Sequence, residues 1–143
     1  MRRVLRQPWA WMIVILLAAA GLKIGLLMAD VVPFNADEAV VALMARHILQ
    51  GELPIFFYGQ AYMGSLDAWL VAAGFAVFGQ QVWVIRLVQG LLYLGVILTT
   101  VRIAQLGLRS TRIGLLAAAL LAVPTVNVTL YTTASLGGYG EAL

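Results

Sequence analysis

The amino-acid sequence predicts an all-α integral membrane protein, with about three transmembrane helices and two shorter juxtamembrane helices in its first outer loop. Of the 143 residues 63% are hydrophobic and only 10% are charged, whereas a soluble domain is about half apolar and a quarter charged. Several apolar runs approach the ~20 residues that one crossing of a bilayer needs. Because the chain has no cysteine, disulfides, thiolate metal sites and cysteine nucleophiles are excluded.

The first span is predicted at about residues 9–29. Its apolar run begins at Trp9 and follows a short segment that contains three arginines, Arg2, Arg3 and Arg6. A basic start and an alanine-rich centre also resemble a signal peptide, but this run is too long and has no convincing cleavage site. We therefore interpret it as an uncleaved span with the N-terminus in the cytoplasm.

Residues 30–81 are predicted to form a loop outside the membrane. Within this loop, Asn35 followed three residues later by Glu38 is typical of a helix start with a capping box, and Gly51 is a typical stop. The pattern predicts a helix over about 37–50. This helix is too short to cross a bilayer and is expected to lie in or near the interface.

The apolar run at 64–79 is predicted to be a second juxtamembrane helix. It is short for a span and contains Asp67. If it crossed the membrane, the later arginines Arg102, Arg109 and Arg112 would lie on the opposite side from the N-terminal ones. Such an arrangement would break the positive-inside rule.

The remaining apolar runs predict a second span at about 82–103 and a third at about 113–133, with Pro124 as a kink. This topology keeps all six span-flanking arginines in the cytoplasm. It places loop 30–81 on the periplasmic or extracellular face of the cell (inner) membrane. Because the arginines flank spans and do not alternate with exposed aromatics, no nucleic-acid partner is predicted.

The acidic pair of Asp37 and Glu38 is the first candidate for chemistry. A carboxylate beside a membrane can act as a general base on an acceptor hydroxyl, or can bind a divalent cation. Acids in the first turn of a helix are also favoured by the helix dipole without any function. His47 has no partner at ligand spacing, so a zinc site is not predicted.

Three residues of the loop, Tyr58, Gln60 and Tyr62, suit sugar stacking and hydrogen bonding, although composition alone favours an aromatic belt at the membrane surface, which needs no ligand. Arg86 lies about five residues into the second span and can bind a lipid phosphate or extend to the interface. Lys23, near the end of the first span, is expected to extend to the interface.

Glu141 follows a Gly-Gly-Tyr-Gly turn that is predicted to lie on the outer side. If the spans pack together, this carboxylate can approach Asp37.

Five features follow one another along the chain: a basic start, one span, the segment Asn35-Ala-Asp37-Glu38-Ala, the block at 56–67 and the segment Ile-Arg86-Leu. In this order they resemble the N-terminal part of bacterial GT-C glycosyltransferases. The similarity is to the protein O-mannosyltransferase and aminoarabinose-transferase type and covers about residues 8–141. In the bacterial branch with this block, a proline is expected where Ala61 stands and a glutamate where Asp67 stands.

The resemblance implies an enzyme that moves a sugar, with inversion, from a polyprenyl-phosphate donor to an acceptor on the outer face. It matches Asp37 with the catalytic base and Glu38 with its neighbour, and it relates Arg86 and Glu141 loosely to phosphate-binding and second acidic positions. It requires no cofactor, and a divalent cation stays open. Since such enzymes have many more spans, residues 1–143 are expected to be a fragment that is inactive without the remainder of a larger chain.

Two other classes of protein stay open. One is a small, non-enzymatic membrane interaction or scaffold subunit whose acidic loop contacts a partner. The other is a piece of a transporter, but transporters are expected to place ionisable groups near the midplane of the bilayer and to show internal repeats. The acids of this sequence cluster outside the predicted spans, and no repeat is visible.

Overall fold

A computed structural model describes residues 7–136 of the chain. This part is mainly helical and contains one small antiparallel hairpin. In chain order the elements are α1 (Pro8–Met28), α2 (Ala36–Leu49), β1 (Phe56–Phe57), β2 (Gln60–Gly64), α3 (Leu66–Phe78), α4 (Val82–Gly107), α5 (Thr111–Ala122) and α6 (Val126–Tyr131).

Two helices are long and apolar enough to cross a membrane. They are α1, with 21 residues, and α4, with 26 residues, which correspond to about 30 and 39 Å at the rise of an α-helix. Both coincide with predicted spans, so their helical structure is confirmed.

The predicted third span is not one continuous helix. Helix α5 has 12 residues and α6 has six, and the chain between them includes Pro124. Proline lacks an amide hydrogen and disfavours helical backbone at the residue before it, and Val123 is indeed non-helical, with φ −122° and ψ 73°. The expectation of a single kinked helix over 113–133 was therefore wrong, because the proline divides the segment into two helices.

The two predicted helices of the loop are confirmed as α2 and α3. Helix α2 starts with a complete capping box, in which the side chain of Asn35 accepts from the amide of Glu38 at 2.9 Å and the carboxylate of Glu38 accepts from the amide of Asn35 at 3.4 Å. It ends before Gly51, whose positive φ of 101° suits only glycine well. Helix α3 is slightly shorter than predicted.

The hairpin of β1 and β2 was not predicted, and it corrects the purely helical fold class. Phe56 pairs with Gly64, and Phe57 pairs with Gln60. Gly59, with φ 79°, allows the tight turn between the strands. Strands this short have no alternating pattern long enough to be recognised in the sequence.

The helices pack around two apolar clusters. The first joins α2, the hairpin, α3 and the start of α4, and its buried members are Val41, Met44, Ala45, Phe57, Ala68, Val71, Ala72, Phe75, Val84 and Ile85. The second joins α1, the rest of α4 and α5, and its buried members are Ile15, Ala19, Tyr93, Ile97, Val101, Ala118 and Ala122.

The charged residues divide this bundle into two ends. We call the first the acidic end: it comprises residues 30–81, the last turns of α1, the first turns of α4 and residues 129–136, and it holds every carboxylate within residues 7–136. We call the other the basic end. It comprises the start of α1, the last turns of α4 and the start of α5, with three exposed arginines, Arg102, Arg109 and Arg112.

Candidate functional site

A buried ion pair joins α2 to α4 at the acidic end. Arg86 donates from Nε to Oε1 of Glu38 at 3.2 Å and from Nη2 to Oε2 at 3.3 Å. Glu38 is 0% exposed and Arg86 is 6% exposed. Two-point pairing engages both oxygens of Glu38, so this carboxylate holds Arg86 in place.

Asp30 lies at the rim of this ion pair. Its Oδ1 is 3.7 Å from Nη1 of Arg86, and its side chain is almost fully exposed. The guanidinium therefore directs one edge towards Glu38 and its remaining nitrogen, Nη1, towards the surface. Within residues 7–136, Nη1 donates no hydrogen bond, so it is the part of Arg86 that can still bind an anion.

Asp37 differs from its neighbour in the sequence. It lies in the first turn of α2 and is partly exposed. Among the residues that the structure describes, it forms no side-chain hydrogen bond or ion pair. The helix dipole favours a negative charge at this position, so the arrangement provides an accessible carboxylate beside a rigid, paired one.

Of the three residues predicted to bind sugar, Tyr58 lies at the opposite end of α2 from Asp37. Tyr58 contacts the end of α2, where its hydroxyl lies 3.0 Å from Nδ1 of His47 and donates to Oε2 of Glu52 at 3.0 Å. Partial desolvation, and then the hydrogen bond and charge of Glu52, raise the pKa of Tyr58 above its ordinary value. These contacts fix the hairpin to α2.

Gln60 and Tyr62 lie on β2. Tyr62 is 80% exposed, and Oε1 of Gln60 is buried without a hydrogen-bond partner within the described part of the chain. Neither residue has a hydrogen bond to Arg86 there. The predicted site residue Glu141 lies outside the described residues, so its approach to Asp37 stays a prediction.

Sequence reasoning missed a second buried carboxylate cluster. Asp67 on α3 is 2% exposed, and it accepts from Nε2 of Gln89 at 2.7 Å and from the hydroxyl of Ser135. These contacts join α3, α4 and the segment after α6. The available signals were two polar residues, Asp67 and Gln89, in otherwise apolar runs.

Lys23 also differs from expectation. Instead of extending to the interface it turns inward, is 8% exposed, and lies with its Nζ 4.7 Å from the ring centre of Tyr93. Its ammonium group donates to the hydroxyls of Thr132 and Thr133. A lysine near the end of a span can extend its ammonium group to the interface, but here that group is bonded to two threonines inside the bundle.

The described residues provide no candidate metal centre. Within residues 7–136, no group of three or more His, Asp or Glu side chains could hold a metal ion. Comparison with known proteins adds no further constraint, since no family model, no curated protein and no solved structure matches this chain. The functional argument therefore depends on the residues of the acidic end.

Proposed function

We propose that this chain forms one wall of a membrane glycosyltransferase, which moves a sugar from a polyprenyl-phosphate donor to an acceptor on the outer face of the membrane. The observation that carries the proposal is the contrast within the acidic pair. Glu38 is buried and paired with Arg86, whereas Asp37 is accessible and has no partner among the described residues. A general base needs a carboxylate that a substrate can reach.

In the proposed reaction Asp37 accepts the proton of the acceptor hydroxyl. The acceptor oxygen then attacks the anomeric carbon of the donor sugar, and the bond from that carbon to the phosphate oxygen breaks. The electron pair of the broken bond leaves with the polyprenyl phosphate. Because the acceptor oxygen attacks the face of the anomeric carbon opposite this leaving group, the sugar is transferred with inversion. Glu38 is a positioning residue in this scheme, because it holds Arg86 with Nη1 directed towards the surface, where it can stabilise the departing phosphate.

We further propose that the chain crosses the membrane three times, with its N-terminus in the cytoplasm. The third crossing would be made by α5 and α6 together. Two observations support this: α5 packs against α1, and Lys23, near the far end of α1, is bonded to Thr132 and Thr133 just after α6. The acidic end would then lie on the outer face and the basic end in the cytoplasm, as the positive-inside rule favours.

The test is Asp37→Asn in membranes that express the complete reading frame containing this sequence. The amide keeps the shape of the carboxylate and removes the basic oxygen. Because general-base catalysis typically contributes ~10²–10⁴ in rate, turnover of a polyprenyl-phosphate sugar should fall by about that factor, with unchanged membrane insertion and thermal stability.

Two matched variants complete the experiment. Glu52→Gln removes another exposed carboxylate from the same end, keeps an acceptor oxygen for the hydroxyl of Tyr58, and should retain activity within a few fold. Glu38→Gln should slow the chemical step, though less than Asp37→Asn does, because it releases Arg86 from the position in which it stabilises the departing phosphate. Near-normal turnover of Asp37→Asn would show that the acid serves only the helix dipole, and it would favour the non-enzymatic scaffold. So would equal losses in Asp37→Asn and Glu52→Gln.

A further inference from the structure

The inward-turned Lys23 has an unusual environment for a cation. Its Nζ donates to the hydroxyl of Thr132 at 2.5 Å, to the hydroxyl of Thr133 at 2.8 Å and to the carbonyl of Thr129 at 3.4 Å. The hydroxyl of Thr132 uses its own proton on the carbonyl of Val128. The three acceptors therefore match the three hydrogens of an ammonium group.

This ammonium lies beside no anion of the chain that the structure describes. Within residues 7–136, no carboxylate lies within ion-pairing distance of its Nζ. The neighbouring cation Arg86 is already paired with Glu38, and Asp67 accepts from Gln89 and Ser135. A buried charge that has only neutral partners is costly in a low-dielectric environment, and an external anion nearby would lower that cost.

A cavity of about 190 Å³ opens next to Lys23, between α1 and α4. Its polar end is formed by Lys23, Arg86 and Thr133. The rest of its wall is apolar, and it is formed by Ala20, Ile24, Leu27, Leu87, Gly90, Leu91 and Leu94. Ile24 and Leu91 are also largely exposed, so the groove is open at the outer surface of the helix pair, which is the surface that lipid covers when these helices cross a membrane.

We propose that the groove between α1 and α4 binds one anionic phospholipid, with its phosphate beside Lys23 and Thr133 and one acyl chain along the apolar wall. The hydroxyl of Thr133 accepts from Lys23 and has no acceptor for its own proton among the described residues, so it can donate to the phosphate. Charge complementarity selects an anionic headgroup, and the apolar wall selects a chain. The inference depends on α1 and α4 crossing a membrane and not on sugar transfer.

At Lys23 the geometry favours a resident phospholipid over the phosphate of a reacting donor, which the proposed reaction places at Nη1 of Arg86. All three hydrogens of Lys23 already point to threonine oxygens, so the residue supplies charge but no free hydrogen bond. A leaving phosphate is stabilised best by donors directed at its developing charge. A phospholipid that stays bound needs only a cation that neutralises its phosphate and one hydrogen-bond donor.

The experiment measures lipid retained by the purified full chain in native mass spectrometry, after incubation with equal amounts of phosphatidylglycerol and phosphatidylcholine with identical chains. We expect one phosphatidylglycerol per chain and little phosphatidylcholine. Lys23→Gln, which keeps hydrogen bonding to the threonines, should lower retention at least about tenfold, the effect of one charge-assisted contact. Arg102→Gln, which removes a charge from the basic end, should not change it.

A second pair of variants tests the apolar wall without touching the charge. A Cβ at Gly90 or at Gly95 meets no atom within 4 Å, so both sites in α4 accept a larger side chain. Gly90→Leu fills the groove and should also lower retention about tenfold, whereas Gly95→Leu, at a different groove between α3 and α4, should not. Circular dichroism identifies the variants that keep their helices. A folded Lys23→Gln variant or a folded Gly90→Leu variant is sufficient by itself to test the site.

Three outcomes would overturn the phospholipid site. The first is equal retention of both lipids. The second is unchanged retention in a folded Lys23→Gln or Gly90→Leu variant. The third is binding of undecaprenyl phosphate with no binding of phosphatidylglycerol, which would assign the groove to the donor of the proposed reaction. Loss of sugar transfer in Asp37→Asn is independent of all three.

Discussion

The two ends of the bundle differ in whether they bury polar and charged side chains. The nine buried polar or charged residues of the described chain all lie at the acidic end, and they are Lys23, Glu38, Ser65, Asp67, Arg86, Gln89, Thr132, Thr133 and Ser135. Towards the basic end the core is apolar apart from Tyr93, whose hydroxyl donates to the carbonyl of Leu121 at 2.6 Å. The arginines of the basic end stay exposed.

This difference indicates how stability and function are divided. Burying an ionised or polar group costs free energy unless its partners are placed accurately, so a chain that needed only to fold would use apolar residues at both ends. The basic end does so, with small side chains that let helices approach closely. The acidic end instead buries charged and polar side chains, and this contrast is the reason why the proposed function is assigned to that end.

Arg86→Met should produce the largest loss of stability. It leaves Glu38 buried without its cation, and breaking a buried ion pair typically costs ~3–5 kcal/mol. The free energy of unfolding, measured by titrating the detergent-solubilised chain with sodium dodecyl sulfate, should fall by about that amount. Arg102→Met, the same change at an exposed site of the basic end, should alter it by less than ~0.5 kcal/mol.

The double variant Arg86→Met with Glu38→Gln sharpens this result. Removing the buried charge together with its partner should recover much of the lost stability, since a neutral glutamine costs less to bury than an unpaired carboxylate. If Arg86→Met and Arg102→Met cost the same, the charges of the acidic end would contribute no more than surface charges, and the contrast between the ends would be wrong.

The sequence predicted the elements whose signals are local. Apolar runs indicated α1 and α4. The spacing of Asn35 and Glu38, followed by Gly51, indicated both ends of α2 within a residue or two. Pro124 indicated where the last apolar run is interrupted, although its effect is larger than a kink because the residue before it also leaves the helical conformation.

The partners of the buried polar residues were not predictable in this way. Arg86 is 48 residues from Glu38, and Lys23 is 109 residues from Thr132. Such pairs form only when helices distant in the sequence pack together, and no local pattern records them. For this reason the sequence grouped Glu38 with Asp37 as a catalytic pair and showed no sign that Glu38 is bonded to Arg86.

A smaller loss is expected from Gly114→Ala at the basic end. A Cβ on Gly114 would lie 3.1 Å from both the Cα and the carbonyl oxygen of Val101 and 3.2 Å from the Cβ of Ala104. Backbone atoms cannot rotate away, so α4 and α5 must separate slightly, at a cost of ~1–3 kcal/mol typical of overpacking. The titration with sodium dodecyl sulfate that is used for Arg86→Met measures this loss of stability.

Gly95→Ala is the matched control, because a Cβ there meets no atom within 4 Å. In the interior of α4 this change should be neutral or stabilise the chain by up to ~1 kcal/mol. Equal effects at the two glycines would mean that close approach of α4 and α5 contributes nothing, and the basic end would not be held by packing of small residues.

The smallest expected effect is that of Asn35→Ala at the start of α2. This change removes the acceptor for the amide of Glu38, and loss of such a cap typically costs ~0.5–2 kcal/mol, most often about 1. The effect should be near the lower part of that range, because Arg86 still holds the Glu38 side chain from α4. Hydrogen exchange should therefore quicken in the first turn of α2, and exchange in α4 should stay unchanged. Asn35→Asp, which keeps an acceptor oxygen, should restore the slow exchange. If Asn35→Ala instead destabilised the whole chain as much as Arg86→Met, the capping box rather than the buried ion pair would organise the acidic end.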